Sequence, residues 1–311
     1  MSGGSAQARA WVRVGVLALL WGSTYLWIEL ALTALSPVQV TFSRCVLGSA
    51  SLLVLCFMTG ERLPRSLATW GHILVAAFFC NALPFAMFSI GQQTVSSGVA
   101  GVLNSTTPLW SLLVGILIGT ERGIRPSRLC GLVLGFSGTV VIFAPWQQTG
   151  GVGWGALAIV AAAASYAVAF SYMGHNLVGR GIPTISLSAA QLCAATGLTA
   201  LWLPAGGLAP IHLDATALTA VVVLGIFATG VTFHLTYRII ADEGATNAAT
   251  VSYLLPVVSV ALGSVVLGED VGLRMVAGMI IVLVGVGMSR RRRQRLPTAA
   301  ETPAALAAPR G

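Results

Sequence analysis

Two ionisable side chains, Glu29 and Arg44, stand inside long apolar runs of the sequence. A charge within hydrocarbon is costly, so such residues are candidates for a functional site. Only a short connection separates the two runs, which puts both side chains at a similar depth. Three interpretations stay open: an ion pair that joins two helices, contact with a substrate or a proton, and side chains that extend to the membrane surface. A third group, His234, could titrate near neutral pH and serve proton coupling, or could simply pack.

Two prolines, Pro108 and Pro256, fall inside apolar runs and should kink the helices there. Each removes a backbone N–H and thereby frees the carbonyl four residues earlier, at Asn104 and Ser252. Within a bilayer a freed carbonyl must be satisfied by a side chain, by water or by a ligand. The two kinks therefore either line a central cavity, which their matched positions favour, or only shape the packing of helices.

Aromatic and polar side chains in the same runs suit an amphipathic or zwitterionic ligand. For any one of them alone, packing in the protein core is the alternative. The residues that we expect to bind a substrate are Trp21, Tyr25, Asn104, Tyr166 and Tyr253.

The pattern of the remaining polar residues argues against catalysis. The four histidines are scattered without an HExxH spacing, and no pair of carboxylates lies within the predicted membrane segments. No glycine-rich phosphate loop supports an ATP-driven pump. We therefore expect no catalytic residue, no metal and no cofactor. A membrane-embedded enzyme that acts on lipid or lipid-linked substrates is the alternative function.

The elements that carry these residues must lie in a membrane. The chain has 311 residues, of which 56% are hydrophobic and 8% are charged, whereas soluble domains have roughly 25% charged residues. The apolar residues fall into runs of about 20, the length that spans a bilayer as a helix. Ten such runs are predicted, at 12–33, 37–58, 70–91, 97–119, 126–144, 153–173, 184–203, 216–237, 245–267 and 271–288.

The second half of the sequence repeats features of the first. Pro108 and Glu121 recur as Pro256 and Glu269. Five helices in each unit are an odd number, so the two units must enter the membrane in opposite senses, an arrangement typical of transporters. The predicted fold is an all-α membrane protein of ten transmembrane helices in two inverted five-helix repeats. The repeats cover 12–144 and 153–288, and a disordered cytoplasmic tail covers 289–311.

The arginines indicate the orientation. The net charge is +8, and five arginines cluster at 290–293 and 295, just after the last apolar run. The other predicted cytoplasmic connections also carry arginine, and only Arg274 departs from that rule. Both termini are therefore expected in the cytoplasm, in a multi-pass protein of the plasma (inner) membrane whose first helix is retained. The cluster suits anionic lipid rather than nucleic acid.

Several motifs resemble the EamA family of the drug/metabolite transporter superfamily. They are Trp21-Gly22-Ser23, Arg44, and two stretches that run from Pro108 to Gly119-Thr120-Glu121 and from Pro256 to Leu267-Gly268-Glu269. The resemblance implies ten helices, cytoplasmic termini and export of metabolites, amino acids or toxic compounds. Where many relatives carry a lysine late in helix one, this chain has Glu29.

These observations predict a secondary transporter, specifically an exporter of small organic metabolites such as amino acids or amphipathic compounds, working by alternating access. Its expected partners are a small-molecule substrate and the lipid bilayer. Glycines 131, 135 and 138 predict close packing of helix five. That packing lies within one chain by default, and a homodimer is the alternative.

Overall fold

The computed structural model describes residues 3–119, 126–143, 153–211, 214–267 and 272–289. Within these ranges every regular element is helical. The α-helices are α1 (Gly3–Leu32), α2 (Pro37–Thr59), α3 (Leu67–Ala77), α4 (Leu83–Gly91), α5 (Ser97–Asn104), α6 (Thr107–Leu117), α7 (Pro126–Phe143), α8 (Trp154–Asn176), α9 (Thr184–Ala200), α10 (Ala215–Gly225), α11 (Thr232–Glu243), α12 (Ala245–Ala249), α13 (Leu255–Leu267) and α14 (Leu273–Ser289).

Within the described ranges, seven helical segments are long and apolar enough to cross a membrane: Trp11–Leu32, Pro37–Thr59, Leu67–Gly91, Ser97–Leu117, Trp154–Asn176, Ala215–Glu243 and Ala245–Val266. Two shorter apolar stretches, Leu129–Gly138 and Val276–Gly285, lie within α7 and α14. Glu121, Glu269, Asp270 and the arginine-rich tail lie outside the described residues, so the structure says nothing of these sequence predictions.

The eighth predicted segment, 216–237, is shorter than the helix that the structure forms there. That segment was expected to stop at Tyr237, before Arg238, but α11 continues to Glu243. No helix breaker intervenes until Gly244, whose φ of 87° stops the helix. Arg238 does not end the helix, because its side chain is exposed and its charge need not be buried in the protein core. In contrast, α2 (Pro37–Thr59) agrees with the predicted run 37–58 to within one residue. A capping box at Ser36 starts this helix and a left-handed Gly60 ends it.

Two π-helical segments interrupt helices that the sequence predicts to be continuous. One, Phe78–Ala82, joins α3 to α4, and the other, Ile226–Val231, joins α10 to α11. Their first residues are 148 positions apart, the spacing that relates Pro108 to Pro256. Each π-turn adds a residue to one turn of the helix and is frequent at functional sites. Equivalent helices of the two halves therefore carry the same irregularity.

The two internal prolines break their helices as expected. Around Pro108 the chain divides into α5 and α6, and the hydroxyl of Thr107 donates to the freed carbonyl of Asn104 at 2.7 Å. Before Pro256 the chain forms a 3₁₀ segment, Thr250–Leu254. There the carbonyl of Ser252 accepts from the backbone N–H of Leu255. Both carbonyls are thus satisfied by neighbours in the chain.

The helices α7 and α14 cross along a line of glycines. A methyl group added to Gly138 would lie 2.7 Å from the carbonyl oxygen of Gly278, and one added to Gly285 would lie 2.7 Å from that of Gly131. The earlier residue of α7 meets the later residue of α14 and the reverse, so the two helices are antiparallel. Because Gly131 and Gly138 are 147 positions before Gly278 and Gly285, the two contacts are reciprocal. The glycines of α7 are occupied within the chain, and a homodimer stays a prediction.

The halves interlock elsewhere in the same reciprocal way. In the first half, α1 packs against α10 and α13 of the second. In the second half, α8 packs against α4 and α6 of the first, and α2 contacts α9. The space between α1, α2, α4, α5 and α8 contains most of the predicted site.

Candidate functional site

A small cavity lies at the contact of the two halves. Its lining comes from α1, α2, α4, α5, α8 and the 3₁₀ segment, and consists of Trp21, Thr24, Tyr25, Arg44, Phe88, Asn104, Tyr166, Phe170 and Ser252. Its volume is about 20 Å³, which is room for about one water molecule. In this conformation the cavity is contracted, and it must widen before it can hold a metabolite.

Stacked aromatic rings form the apolar wall of the cavity. The ring of Trp21 lies 6.0 Å from that of Phe170 with an interplanar angle of 5°. Tyr166 stacks on Phe170 at 5.9 Å and on Phe88 at 6.0 Å. These are favourable offset arrangements of rings contributed by α1, α4 and α8. The wall thus spans helices of both halves and offers flat apolar faces to a ligand.

The polar side of the cavity begins with Tyr25 and Asn104. The amide nitrogen of Asn104 donates to the hydroxyl of Tyr25 at 2.7 Å. The amide oxygen of Asn104 lies 3.1 Å from the hydroxyl oxygen of Thr107, whose single proton it shares with the Asn104 backbone carbonyl. Thr107 precedes Pro108, so the helix break itself orients this amide. Because the Tyr25 oxygen accepts from Asn104, its own proton stays available to another acceptor.

Arg44 is the charged residue of the cavity. Its side chain is 2% exposed, its Nε donates to the Thr229 hydroxyl at 3.1 Å, and its Cζ lies 3.6 Å from the centre of the Phe85 ring. The structure forms no ion pair between Arg44 and Glu29, one of the interpretations left open by the sequence. Instead, a carboxylate oxygen of Glu29 accepts from the backbone N–H of Ser97 at 3.1 Å and caps the start of α5.

A second buried polar cluster lies outside the cavity. The amide nitrogen of Gln191 in α9 donates to the amide oxygen of Asn81 at 2.6 Å, and the hydroxyl of Tyr237 donates to the amide oxygen of Gln191. All three residues are fully buried, and the amide nitrogen of Asn81 has no hydrogen-bond partner in the described part of the chain. Sequence reasoning missed Gln191 and Tyr237, since each is a lone polar residue in an apolar run.

This cluster and the Arg44 contact are related by the repeat. Arg44 extends from α2 to Thr229 in the second π-segment, and Gln191 extends from α9 to Asn81 in the first. Arg44 and Gln191 are 147 positions apart, and Asn81 and Thr229 are 148 apart. Each half therefore sends one polar side chain to the π-segment of the other. The cation is present in only one of the two contacts, the one beside the cavity.

Four of the five expected substrate-binding residues line this cavity, and Tyr253 does not. The hydroxyl of Tyr253 donates to the carbonyl of Leu132 at 3.0 Å, and its ring packs against Gly135 of α7. Successive residues of a 3₁₀ helix diverge by about 120°. Because Ser252 faces the cavity, its neighbour Tyr253 turns away from it. Tyr253 therefore lies outside this cavity, and its contact with a substrate stays a prediction.

His234 also lies away from the cavity, on α11. Its Nδ1 is buried without a hydrogen-bond partner in the described ranges. The neutral packing role therefore lacks the partner that would satisfy it, and the proton-coupling interpretation stays a prediction. Among the described residues, no group of three histidine, cysteine or acidic side chains could hold a metal ion.

Comparison with known proteins places these features in a family. The chain matches the EamA-like transporter family over residues 11–144 and again over residues 153–291. It is 26% identical over 286 residues to a protein of Archaeoglobus fulgidus called an uncharacterized transporter, covering 92% of this chain and 100% of that one. It is 24% identical to the uncharacterized inner membrane transporter YedA of Escherichia coli K12, covering 81% of each.

The fold also resembles a solved crystal structure. The TM-score is 0.74 at 22% sequence identity, and the match covers 91% of this chain and 96% of the other. At that identity the likeness concerns the fold alone.

Proposed function

Because this chain belongs to the EamA-like transporter family and is a multi-pass membrane transporter, we propose that it exports small organic metabolites as a secondary transporter by alternating access. The cavity between the halves is the proposed substrate site. Direction, substrate and mechanism are the parts that this proposal adds.

One observation carries the proposal. Asn104 and Ser252, the positions whose carbonyls are freed by the two matched prolines, come from different halves and line the same cavity. Transporters with inverted repeats bind substrate at the repeat interface, beside broken helices that supply polar groups. We assign substrate contact to Trp21, Tyr25, Asn104, Tyr166 and Ser252, with Ser252 in the place first expected for Tyr253.

We further propose that ten helices span the membrane as two inverted repeats. Contacts such as Gly138 with Gly278 and Gly131 with Gly285 are the reciprocal pairs that a two-fold axis produces. Because α7 and α14 are antiparallel, such an axis lies across the helices rather than along them. This supports repeats of opposite orientation. With an even number of spans and the arginine pattern of the connections, both termini are cytoplasmic.

The contracted cavity indicates what must move. With room for about one water molecule, the site has to open toward one side to admit substrate and toward the other to release it. Since α1 packs on the second half and α8 on the first, each moving unit contains helices of both repeats. In this proposal residues 12–144 therefore do not move as one unit against residues 153–288.

Binding and transport by purified protein test the proposal. A thermal-shift screen against amino acids, aromatic carboxylates and organic amines identifies ligands, because a ligand that binds the folded state stabilises it by mass action. Flux of each ligand is then measured in proteoliposomes. Asn104→Leu should abolish flux because it removes the polar group that the helix break between α5 and α6 orients.

Asn176→Leu is the matched control. The Asn176 amide donates to the Tyr172 carbonyl at 3.2 Å near the end of α8, outside the cavity. This variant should transport at the normal rate. Normal flux in Asn104→Leu, with normal expression, would refute the assignment of the site.

A further inference from the structure

The cavity contains a buried cation, the guanidinium of Arg44, that is paired with no carboxylate of the described residues. The guanidinium of Arg44 has five N–H donors, and within the described ranges only Nε has a hydrogen-bond acceptor, the Thr229 hydroxyl. No described acidic residue lines the cavity, and Glu29 is used at the start of α5. A buried charge is costly unless it is paired and hydrogen-bonded. The remaining donors therefore favour a ligand that brings a negative charge.

The neighbours of Arg44 determine how that ligand can approach. One face of the guanidinium is covered by the Phe85 ring, 3.6 Å from Cζ, and Nε is used by Thr229. The two terminal nitrogens are therefore the donors that remain for a ligand in the cavity that Arg44 lines. A planar fork of this kind matches the two oxygens of a carboxylate. The free proton of the Tyr25 hydroxyl adds a further donor on the same cavity.

The rest of the ligand faces a different environment. Trp21, Phe88, Tyr166 and Phe170 surround the cavity with stacked rings, which suits a flat apolar body. An ammonium group would find no carboxylate among the described lining residues. A compound with a carboxylate and an apolar body satisfies both sides, whereas a compound with only an amine would place a second cation beside Arg44.

Resting on the proposed transport function, we propose that the substrate is an amphipathic carboxylate, whose anionic group binds Arg44 and Tyr25 and whose apolar or aromatic body lies between the rings of α1, α4 and α8.

Binding of matched compounds to the purified protein tests the charge. The probes are 3-phenylpropionate, phenylalanine and 2-phenylethylamine, which share a phenyl body, together with hexanoate and hexylamine. Thermal stabilisation by carboxylates and none by the two amines supports the proposal. Stabilisation by an amine equal to or greater than that by its matched carboxylate overturns it. So does the absence of stabilisation by every carboxylate at millimolar concentration.

Variants of the donors test the contact. Arg44→Gln keeps a hydrogen-bonding group but removes the charge, and it should weaken carboxylate binding by about 10-fold to 100-fold. Arg44→Lys keeps the charge but loses the fork, so its loss should be smaller. If Arg44→Gln does not fold, Tyr25→Phe removes one donor only and should weaken binding by about 5-fold. Unchanged carboxylate affinity in Tyr25→Phe and in any folded Arg44 variant overturns the proposal.

Arg13→Gln is the matched control for general charge. Arg13 lies near the start of α1, forms an ion pair with Asp242 and does not line the cavity. It should bind carboxylates normally. If a neutral or cationic compound is transported without need of Arg44, the proposed transport function stands and the proposed carboxylate substrate is refuted. If carboxylates bind but no compound is transported, the proposed binding site stands and the proposed transport function is refuted.

Discussion

A side chain at Gly285 would meet backbone atoms of α7 where α7 and α14 cross. A β-carbon there would lie 2.5 Å from the backbone nitrogen of Gly135 and 2.7 Å from the carbonyl oxygen of Gly131. Both atoms belong to the backbone, so no side chain can rotate away. To reach an ordinary contact distance of about 3.5 Å, the two helices must separate by about 1 Å, which forfeits a quarter to a half of the dispersion energy at each contact.

Gly285→Ala should therefore destabilise the protein. Overpacking of this kind typically costs about 1–3 kcal/mol, against a gain of about 1 kcal/mol from the better helix propensity of alanine. Gly197→Ala is the matched control, because Gly197 lies in α9 with nothing within 4 Å of its would-be β-carbon. Gly197→Ala should gain the helix propensity of alanine without a steric clash. Gly285→Ala should thus be less stable than Gly197→Ala by about 1–3 kcal/mol.

Equilibrium unfolding in mixed detergent micelles measures the difference, with helix content followed by circular dichroism. Gly138→Ala provides an internal check, since its β-carbon would lie 2.7 Å from the Gly278 oxygen. If the crossing of α7 and α14 is two-fold symmetric, this reciprocal variant should be destabilised to a similar extent. Equal stability of Gly285→Ala and Gly197→Ala would show that the helices do not cross at these glycines.

Two further variants test buried polar groups. Gln191→Leu should lower the free energy of unfolding by about 2–6 kcal/mol. It leaves two buried groups, the Asn81 oxygen and the Tyr237 hydroxyl, without hydrogen-bond partners, and each such loss costs about 1–3 kcal/mol. Wild-type stability of this variant in the same unfolding assay would contradict the hydrogen bonds of the cluster. Glu29→Gln should cost less than about 1 kcal/mol, because the amide oxygen can still accept from Ser97 and only the interaction of charge with the helix end is lost. Its transport should keep the wild-type pH profile, and a flattened profile would instead assign proton coupling to Glu29.

Much of the cavity could be anticipated from sequence because its residues carry local signals. The carbonyl freed by Pro108 lies at Asn104 whatever the rest of the fold does. Aromatic residues such as Trp21 and Tyr166 in membrane segments indicate a wall for an amphipathic ligand. What the sequence could not supply is which residues share one cavity, since helices apolar on all sides do not reveal which face points inward.

The features that were missed depend on contacts between distant elements. The partner of Arg44 is Thr229, 185 positions away, in a π-turn that the hydrophobic pattern of the sequence did not predict. The short connection to Glu29 pointed to an ion pair, but Ser97 takes that carboxylate. Whether Ser252 or its neighbour Tyr253 faces the cavity depends on the local 3₁₀ geometry, which the sequence did not reveal.

The charge of Arg44, which no carboxylate in the described part of the chain neutralises, has an electrical consequence for the proposed cycle. With a carboxylate bound the site is neutral, and without one it carries a positive charge. A membrane potential therefore acts on reorientation of the empty carrier and leaves the loaded step almost unaffected. Moving one elementary charge through the full field corresponds to about 2.3 kcal/mol per 100 mV. The voltage dependence of turnover should then appear in the return of the empty site, and net uniport of the anion should carry current.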